Sequence, residues 1–242
     1  MHRLTFFVLI VLSLVACQPK ASIEEPTSTS LPSTSTSTQT SPTDIPSPPT
    51  ATQIPPTEPV VLTFERTGVV LLIVSNLFDP VEFNGTYSPL LSTGYDVVVA
   101  AYTLSPLPDN EGGPKLEVDI LLTDVHVEDY DAIVFIGNET LIYLNDPEAH
   151  RIAQEAVEQG RVLAALCHGP LVLAEAGVLD GRQATAWFGF GSDQCKKLQR
   201  NGAICTYARV QQDGLIITGK GPDATAAFVG TIKKILQEPL LE

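Results

Sequence analysis

The chain has 242 residues, with 14 Lys or Arg against 28 Asp or Glu, so its formal net charge is −14. Such an acidic surface repels nucleic acid and anionic lipid headgroups, which excludes binding to either through a basic patch. The length that remains after an N-terminal leader and linker is enough for one domain.

The first residues are typical of an export signal. Arg3 precedes an apolar stretch, residues 4–15, that is too short to span a membrane but suits a signal-peptide core. The stretch leads into Leu14-Val15-Ala16-Cys17, which resembles the lipobox of bacterial lipoproteins, where the cysteine is lipidated and becomes the first mature residue. We therefore expect a signal peptide over residues 1–16 and a palmitate-type lipid on Cys17. An ordinary secretory signal is the alternative. Gln18, rather than Asp, follows the cysteine, so an inner-membrane retention signal is absent.

Residues 17–59 are interpreted as the lipidated cysteine followed by a linker. Of the 34 residues between Pro26 and Pro59, 26 are Ser, Thr or Pro, and such a composition cannot form a packed core. A lipid followed by a long tether predicts an extracytoplasmic domain, residues 60–242, held at the bacterial cell membrane or outer membrane through its N-terminus.

Strands and helices alternate in the domain. Strands are predicted at 69–74, 96–101, 131–136, 162–166 and 183–186, helices at 80–93, 147–160, 171–176, 193–200 and 224–236, a loop at 104–115, and a hairpin of 205–211 and 215–218 around Asp213-Gly214. Asp146-Pro147 indicates a capped helix start. The alternation predicts a mostly parallel sheet with helices on both faces.

Cys167 follows the strand predicted at 162–166, and Gly169-Pro170 suits the first turn of the next helix. A cysteine at such a turn meets unpaired backbone amides and the positive end of the helix dipole, and both favour the thiolate. This predicts a nucleophile elbow with sulfur in place of the usual hydroxyl, at the sheet edge where open α/β folds bind ligands. The alternative is a small buried cysteine that only fills space.

Three segments resemble the ThiJ/PfpI family of the class I glutamine-amidotransferase-like superfamily. They are residues 164–170 (Ala-Ala-Leu-Cys-His-Gly-Pro), 176–182 (Ala-Gly-Val-Leu-Asp-Gly-Arg) and 213–222 (Asp-Gly-Leu-Ile-Ile-Thr-Gly-Lys-Gly-Pro). The resemblance covers about residues 69–236. It implies an α/β, flavodoxin-like three-layer sandwich with a mostly parallel sheet and a cysteine nucleophile elbow, and it leaves a homodimer open.

The resemblance also implies a set of site residues. Cys167 takes the position of the nucleophile, and Glu82 fits the glutamate whose carboxyl bonds to the cysteine sulfur. A carboxyl buried beside a thiolate should have a raised pKa and donate a hydrogen bond. A solvated acid at a helix start is the alternative for Glu82, with Asp79 as the competing carboxyl. The oxyanion donors correspond to the backbone amides of Gly137 and His168.

The chain departs from the family pattern in several places. The usual Pro-Gly-Gly turn is Ile136-Gly137-Asn138, Trp187 stands where some members carry a second histidine, and Ile142 stands where the protease-like branch has a glutamate given by a neighbouring subunit. A triad with that second histidine is therefore excluded, and peptidase activity is the least favoured. His168 is either a base for Cys167 or a structural or interface residue, because adjacent residues leave an elbow in different directions.

Cys195 and Cys205 are ten residues apart. In an exported chain they form a disulfide or stay as two thiols, and the sequence leaves both open. No spacing of His, Cys and Asp indicates a metal site, and no Gly-rich loop indicates phosphate binding, so neither metal nor cofactor is expected.

The function expected from the site is that of a cysteine-dependent enzyme acting on a small carbonyl, amide or nitrile-like substrate. Hydrolase, hydratase and glyoxalase types stay open, because a fold does not choose a reaction. A ligand-binding or redox-sensing surface module is the alternative.

Overall fold

Residues 67–137, 140–189 and 192–237 are described by the computed structural model of this protein, with the side chains of residues 140 and 141 excepted. They belong to the second of two units of the chain, Pro59–Glu242. The predicted signal peptide (residues 1–16), the lipidation site Cys17 and the linker (residues 17–59) lie outside the described residues. Within the described ranges, none of the helices has the length and apolar character needed to span a membrane.

A seven-stranded sheet forms the centre of the domain. The strands of the described residues, including those outside this sheet, are β1 (Gly68–Ile73), β2 (Tyr95–Ala101), β3 (Ile120–Leu121), β4 (Ala132–Phe135), β5 (Val162–Leu166), β6 (Gln183–Ala184), β7 (Phe188–Gly189), β8 (Ser192–Asp193), β9 (Ile204–Cys205), β10 (Val210–Asp213) and β11 (Ile216–Gly219). The sheet order is β10-β11-β5-β4-β1-β2-β3, and only β10 runs antiparallel to its neighbour. The pairs β6–β9 and β7–β8 form two small separate sheets.

In the part of the chain that the structure describes, five α-helices surround the sheet: α1 (Pro80–Leu91), α2 (Pro147–Glu158), α3 (Gly169–Glu175), α4 (Cys195–Arg200) and α5 (Thr225–Gln237). Helices α1 and α5 pack together on one face, while α2 and α3 pack on the other, with α4 against α3. Strands β1, β4 and β5 are almost wholly buried, as their continuous apolar sequences require when both faces are covered. The predicted α/β three-layer architecture is confirmed.

Two helices begin with an Asp-Pro pair: Asp79-Pro80 at α1 and Asp146-Pro147 at α2. The start at Asp146-Pro147 agrees with the sequence prediction. The Asp146 carboxylate accepts from the amides of Glu148 and Ala149 at 2.9 and 3.0 Å. At α1, the Asp79 carboxylate accepts from the amides of Val81 and Glu82 at 2.8 and 3.1 Å. Asp79 is therefore the cap of the helix, and the cap fixes the first turn in which Glu82 lies.

The structure differs from the sequence prediction mainly after the elbow. The strand predicted at 205–211 is interrupted, because β9 ends at Cys205, β10 begins at Val210, and Tyr207 between them has a left-handed φ of 55°. Only Val210–Asp213 therefore pairs with β11 in the predicted hairpin. Strand β9 instead pairs with β6, outside the main sheet. Helix α3 begins at Gly169, two residues earlier than predicted.

Candidate active site

Cys167 lies in a sharp turn between β5 and α3. Its φ is +60°, a left-handed conformation that residues other than glycine rarely adopt. The turn is held from both sides, since the Cys167 amide donates to the Gly219 carbonyl at 2.9 Å and its carbonyl accepts from the Trp187 amide at 2.8 Å. Such conformations persist where neighbouring contacts impose them, often at functional sites. The backbone at Cys167 thus has the geometry of a nucleophile elbow.

Glu82 lies beside the thiol and is fully buried, with 0 % of its surface exposed. Burial, followed by the charge of Asp79, raises the pKa of Glu82 to about 8, against opposing hydrogen bonds from the Cys167 side chain and the Gly137 amide. Among the described residues, neither oxygen of the carboxyl has a well-formed hydrogen bond. The hydrogen bonds that lower the pKa of Glu82 are therefore weak, and burial determines the direction of its shift. The carboxyl is mostly protonated at pH 7 and can donate a proton or a hydrogen bond.

Gly137 lies between Glu82 and Cys167. A Cβ atom at this position would overlap the Cβ of Cys167, and it would lie 2.7 Å from Oε2 of Glu82 and 2.8 Å from the Leu166 carbonyl oxygen. A glycine is thus required for Glu82 and Cys167 to approach each other. The Gly137 amide is directed toward the Glu82 carboxyl. The expected role of the Gly137 and His168 amides as oxyanion donors stays a prediction.

His168 contacts the nucleophile. Its Nδ1 lies 3.3 Å from Sγ of Cys167. The sequence left open whether adjacent residues of the elbow would meet, and the structure brings the imidazole and the sulfur together. The side chain of His168 is partly buried.

Gly221 lies beside Trp187 and near Glu82. Gly221 follows β11, and a Cβ there would lie 2.8 and 3.1 Å from Cε3 and Cζ3 of Trp187 and 3.8 Å from Oε1 of Glu82. The Gly-Lys-Gly-Pro segment at 219–222 was part of the family resemblance, but the sequence did not show that the indole lies on it.

Cys195 and Cys205 form a disulfide, with their Cα atoms 5.5 Å apart, which joins α4 to β9. Cys167 is the cysteine of the described residues that stays outside it. Ile142, at the place of the partner-subunit glutamate, is 48 % exposed. Asn138 and Glu139 lie outside the described residues. In the described ranges, no group of three His, Cys, Asp or Glu side chains is arranged to hold a metal ion.

The comparison with known families agrees with this geometry. The model of the DJ-1/PfpI family matches residues 69–235, which include the acid, the glycine and the elbow. The chain belongs to the DJ-1/PfpI family. The match starts after the segment that carries the predicted leader and linker, so it says nothing about lipidation.

Relatives with similar sequences cover the same region as the DJ-1/PfpI match. An uncharacterised protein of Archaeoglobus fulgidus is 32 % identical over 170 residues, which are 69 % of this chain and 98 % of that protein. A deglycase of Pyrococcus horikoshii is 29 % identical over 170 residues, covering 69 % of this chain and 99 % of that enzyme.

Solved structures show the same fold. A ThiJ/PfpI domain protein of Brachyspira murdochii has a TM-score of 0.66 at 20 % identity, over 71 % of this chain and 97 % of that chain. A protein of Anabaena variabilis with DJ-1/ThiJ/PfpI-like and ferritin-like domains has a TM-score of 0.65 at 29 % identity. The alignment covers 69 % of this chain and 48 % of the Anabaena chain, so it spans about half of that protein.

Proposed function

We propose that the protein is a cysteine-dependent enzyme that acts on a small carbonyl compound, with a hydrolysis of the deglycase type as its reaction. The observation that carries the proposal is the meeting of the Cys167 thiol with the buried, proton-holding carboxyl of Glu82 at the elbow. The family relationship supports it, because several relatives, including the Pyrococcus horikoshii protein, are named deglycases.

Each site residue has a distinct part in the proposed addition step. His168 Nδ1, 3.3 Å from Sγ, accepts the thiol proton. The sulfur then forms a bond to the carbonyl carbon, while the π pair of the C=O bond moves to oxygen. That oxygen takes a proton from Glu82, whose raised pKa suits a general acid at neutral pH. The amide of His168 is the proposed donor to the developing oxyanion. The Gly137 amide, which the sequence predicts as the second donor, is directed toward Glu82 instead.

We do not extend the proposal to peptide hydrolysis. Trp187 stands in the place of the second histidine and Ile142 in that of the partner-subunit glutamate, so the protease-like constellation is incomplete. A redox-sensing or ligand-binding module is kept as the alternative outcome of the experiment, because a reactive thiol beside an acid also suits reversible oxidation.

The membrane tether is a second part of the proposal. The lipobox-like sequence before Cys17 and the Ser-, Thr- and Pro-rich linker support it. Mass spectrometry of the membrane fraction should find an acylated Cys17 as the first residue. An unprocessed N-terminus or a soluble, unacylated form would contradict lipidation and leave the proposed enzyme activity untouched.

The enzyme proposal is tested with the purified mature protein and a panel of small aldehydes, glycated amines, amides and isonitriles. Turnover of a carbonyl substrate should disappear in Cys167→Ser and fall by at least about tenfold in Glu82→Leu, with Glu82→Gln affected less because it keeps a hydrogen-bond donor. Reversible Cys167 oxidation without turnover of any substrate would instead identify a sensor.

A further inference from the structure

The backbone of Trp187 is fixed between the elbow and α4. Its amide donates to the Cys167 carbonyl at 2.8 Å, and its own carbonyl accepts from the Gln194 amide at 2.9 Å. Gln194 immediately precedes Cys195, which the disulfide ties to Cys205. The indole thus extends from a backbone that is held on two sides, and the side chain is partly buried.

The Trp187 indole and the Glu82 carboxyl both lie near Gly221. The space that a Gly221 Cβ would fill lies 2.8 and 3.1 Å from two carbons of the six-membered indole ring and 3.8 Å from Oε1 of Glu82. Oε2 of Glu82 lies 2.7 Å from the place of a Gly137 Cβ. Gly137 therefore lies beside one oxygen of the carboxyl, while Gly221, with the indole against it, lies near the other.

We propose that Trp187 is a positioning residue of the proposed enzyme: its indole, lying on Gly221, closes Glu82 off from water and so keeps the carboxyl in the protonated, donating form beside Cys167. The inference rests on the proposed function, which needs that proton. An apolar aromatic cover favours the neutral form of a carboxyl because it removes the water that would solvate the anion. Burial is the largest cause of the raised pKa of Glu82, which agrees with this role.

The charged and titratable groups around the carboxyl do not replace the indole in this role. Asp79, the cap of α1, also raises the pKa of Glu82, but its effect is smaller than that of burial. Cys167 contacts the carboxyl from the elbow, and the Cys167 sulfur lies 3.3 Å from Nδ1 of His168. On the turn after β11, the Lys220 ammonium lies 3.7 Å from the Asp223 carboxylate and 4.6 Å from the centre of the Phe188 ring. The Lys220 ammonium is therefore in contact with Asp223 and Phe188.

Two substitutions disturb the cover by different routes. Trp187→Ala removes the indole, whereas Gly221→Ala keeps it but displaces it, since the new Cβ would lie 2.8 Å from a ring carbon. Trp187→Phe is the conservative variant that retains an aromatic cover. Phe188→Ala is the matched control, because the Phe188 ring packs edge-on against Tyr207, at 5.4 Å between centroids, and under Lys220.

The protonation of Glu82 is read from its carboxylic-acid infrared band, identified in each background by subtracting the spectrum of the corresponding Glu82→Gln protein and titrated against pH. We expect a midpoint near 8 in the parent protein. The midpoint should fall by at least about one pH unit in Trp187→Ala and in Gly221→Ala, because water reaches the carboxyl. Trp187→Phe and Phe188→Ala should stay within about half a unit of the parent.

A purely structural role of Trp187 would leave this midpoint in place while lowering stability, and an unchanged midpoint in the folded Trp187→Ala or Gly221→Ala protein would overturn the inference. If one of the two does not fold, the other decides. The readout needs no turnover. A shifted midpoint in a protein without enzymatic activity would refute the proposed function alone, whereas an active protein with an unshifted midpoint would refute the inference alone.

Discussion

Replacement of Glu82 by glutamine should make the protein more stable at neutral pH but not at acid pH. The folded protein holds the proton of Glu82 until the pH approaches about 8, while the unfolded chain releases it near the ordinary value of 4.5. Below pH 4.5 the carboxyl is protonated in both states and favours neither. As the pH rises from 4.5 to about 8, ionisation increasingly favours the unfolded state, so the folded state loses stability over that window.

The size of the effect follows from the pKa difference. One pKa unit corresponds to about 1.4 kcal/mol, and pH 7 lies about 2.5 units above the ordinary value of 4.5. Retaining the proton in the folded state should therefore cost about 3 kcal/mol at pH 7 relative to pH 4. Glutamine is nearly isosteric and does not ionise, so Glu82→Gln should remove this pH-dependent cost.

Urea unfolding of the mature protein, followed by circular dichroism from pH 4 to pH 8, gives the free energies of unfolding. The Glu82→Gln protein should gain about 3 kcal/mol over the parent between pH 4 and pH 7. Glu117→Gln, a change at an exposed glutamate, should run parallel to the parent. A difference between Glu82→Gln and parent that stays constant within about 1 kcal/mol would refute the reasoning, because Glu82 would then titrate alike in both states.

Three further outcomes follow from the geometry. Iodoacetamide applied without reduction should label Cys167, and the labelling rate should give this thiol an apparent pKa below about 8.5. Cys195 and Cys205 should be labelled only after reduction of their disulfide. Peptide mapping at a series of pH values checks both points. Gly137→Ala should cost at least about 2 kcal/mol of unfolding free energy and slow the labelling of Cys167, because the methyl group fills the space shared with Glu82. Asp146→Ala should cost about 1 kcal/mol through the lost cap of α2 without altering the labelling, which separates distant destabilisation from damage to the site.

The central strands could be predicted because their sequences are buried on both faces. The runs at 69–74, 131–136 and 162–166 became β1, β4 and β5 with end shifts of one residue or none. Helix α2 was equally predictable, since Asp146-Pro147 supplies a cap and a first turn. These signals are local, and the buried environment agrees with them. The elbow belongs to the same class, because it is a strand, a tight turn and a helix start in sequence.

Features that depend on distant parts of the chain were not predictable. Strand β9 pairs with β6, about twenty residues away, and the left-handed Tyr207 separates it from the hairpin to which the sequence assigned it. Likewise, nothing local in the sequence shows that the Trp187 indole lies on Gly221 or that Gly221 also lies near Glu82. The contact between His168 and the sulfur depends on a side-chain direction that the sequence leaves open.

The strand order explains why a glycine lies between the acid and the nucleophile. Strand β4 runs between β1 and β5 in a parallel sheet, so the carboxyl ends of these three strands lie side by side. The chain that leaves β1 leads to Glu82, the chain that leaves β5 is the elbow with Cys167, and the chain that leaves β4 passes between them at Gly137. Any side chain there would separate the carboxyl from the sulfur. The arrangement therefore constrains Gly137, the second residue after β4, more tightly than its neighbours, and a glycine there is as much a requirement of the site as the thiol and the acid.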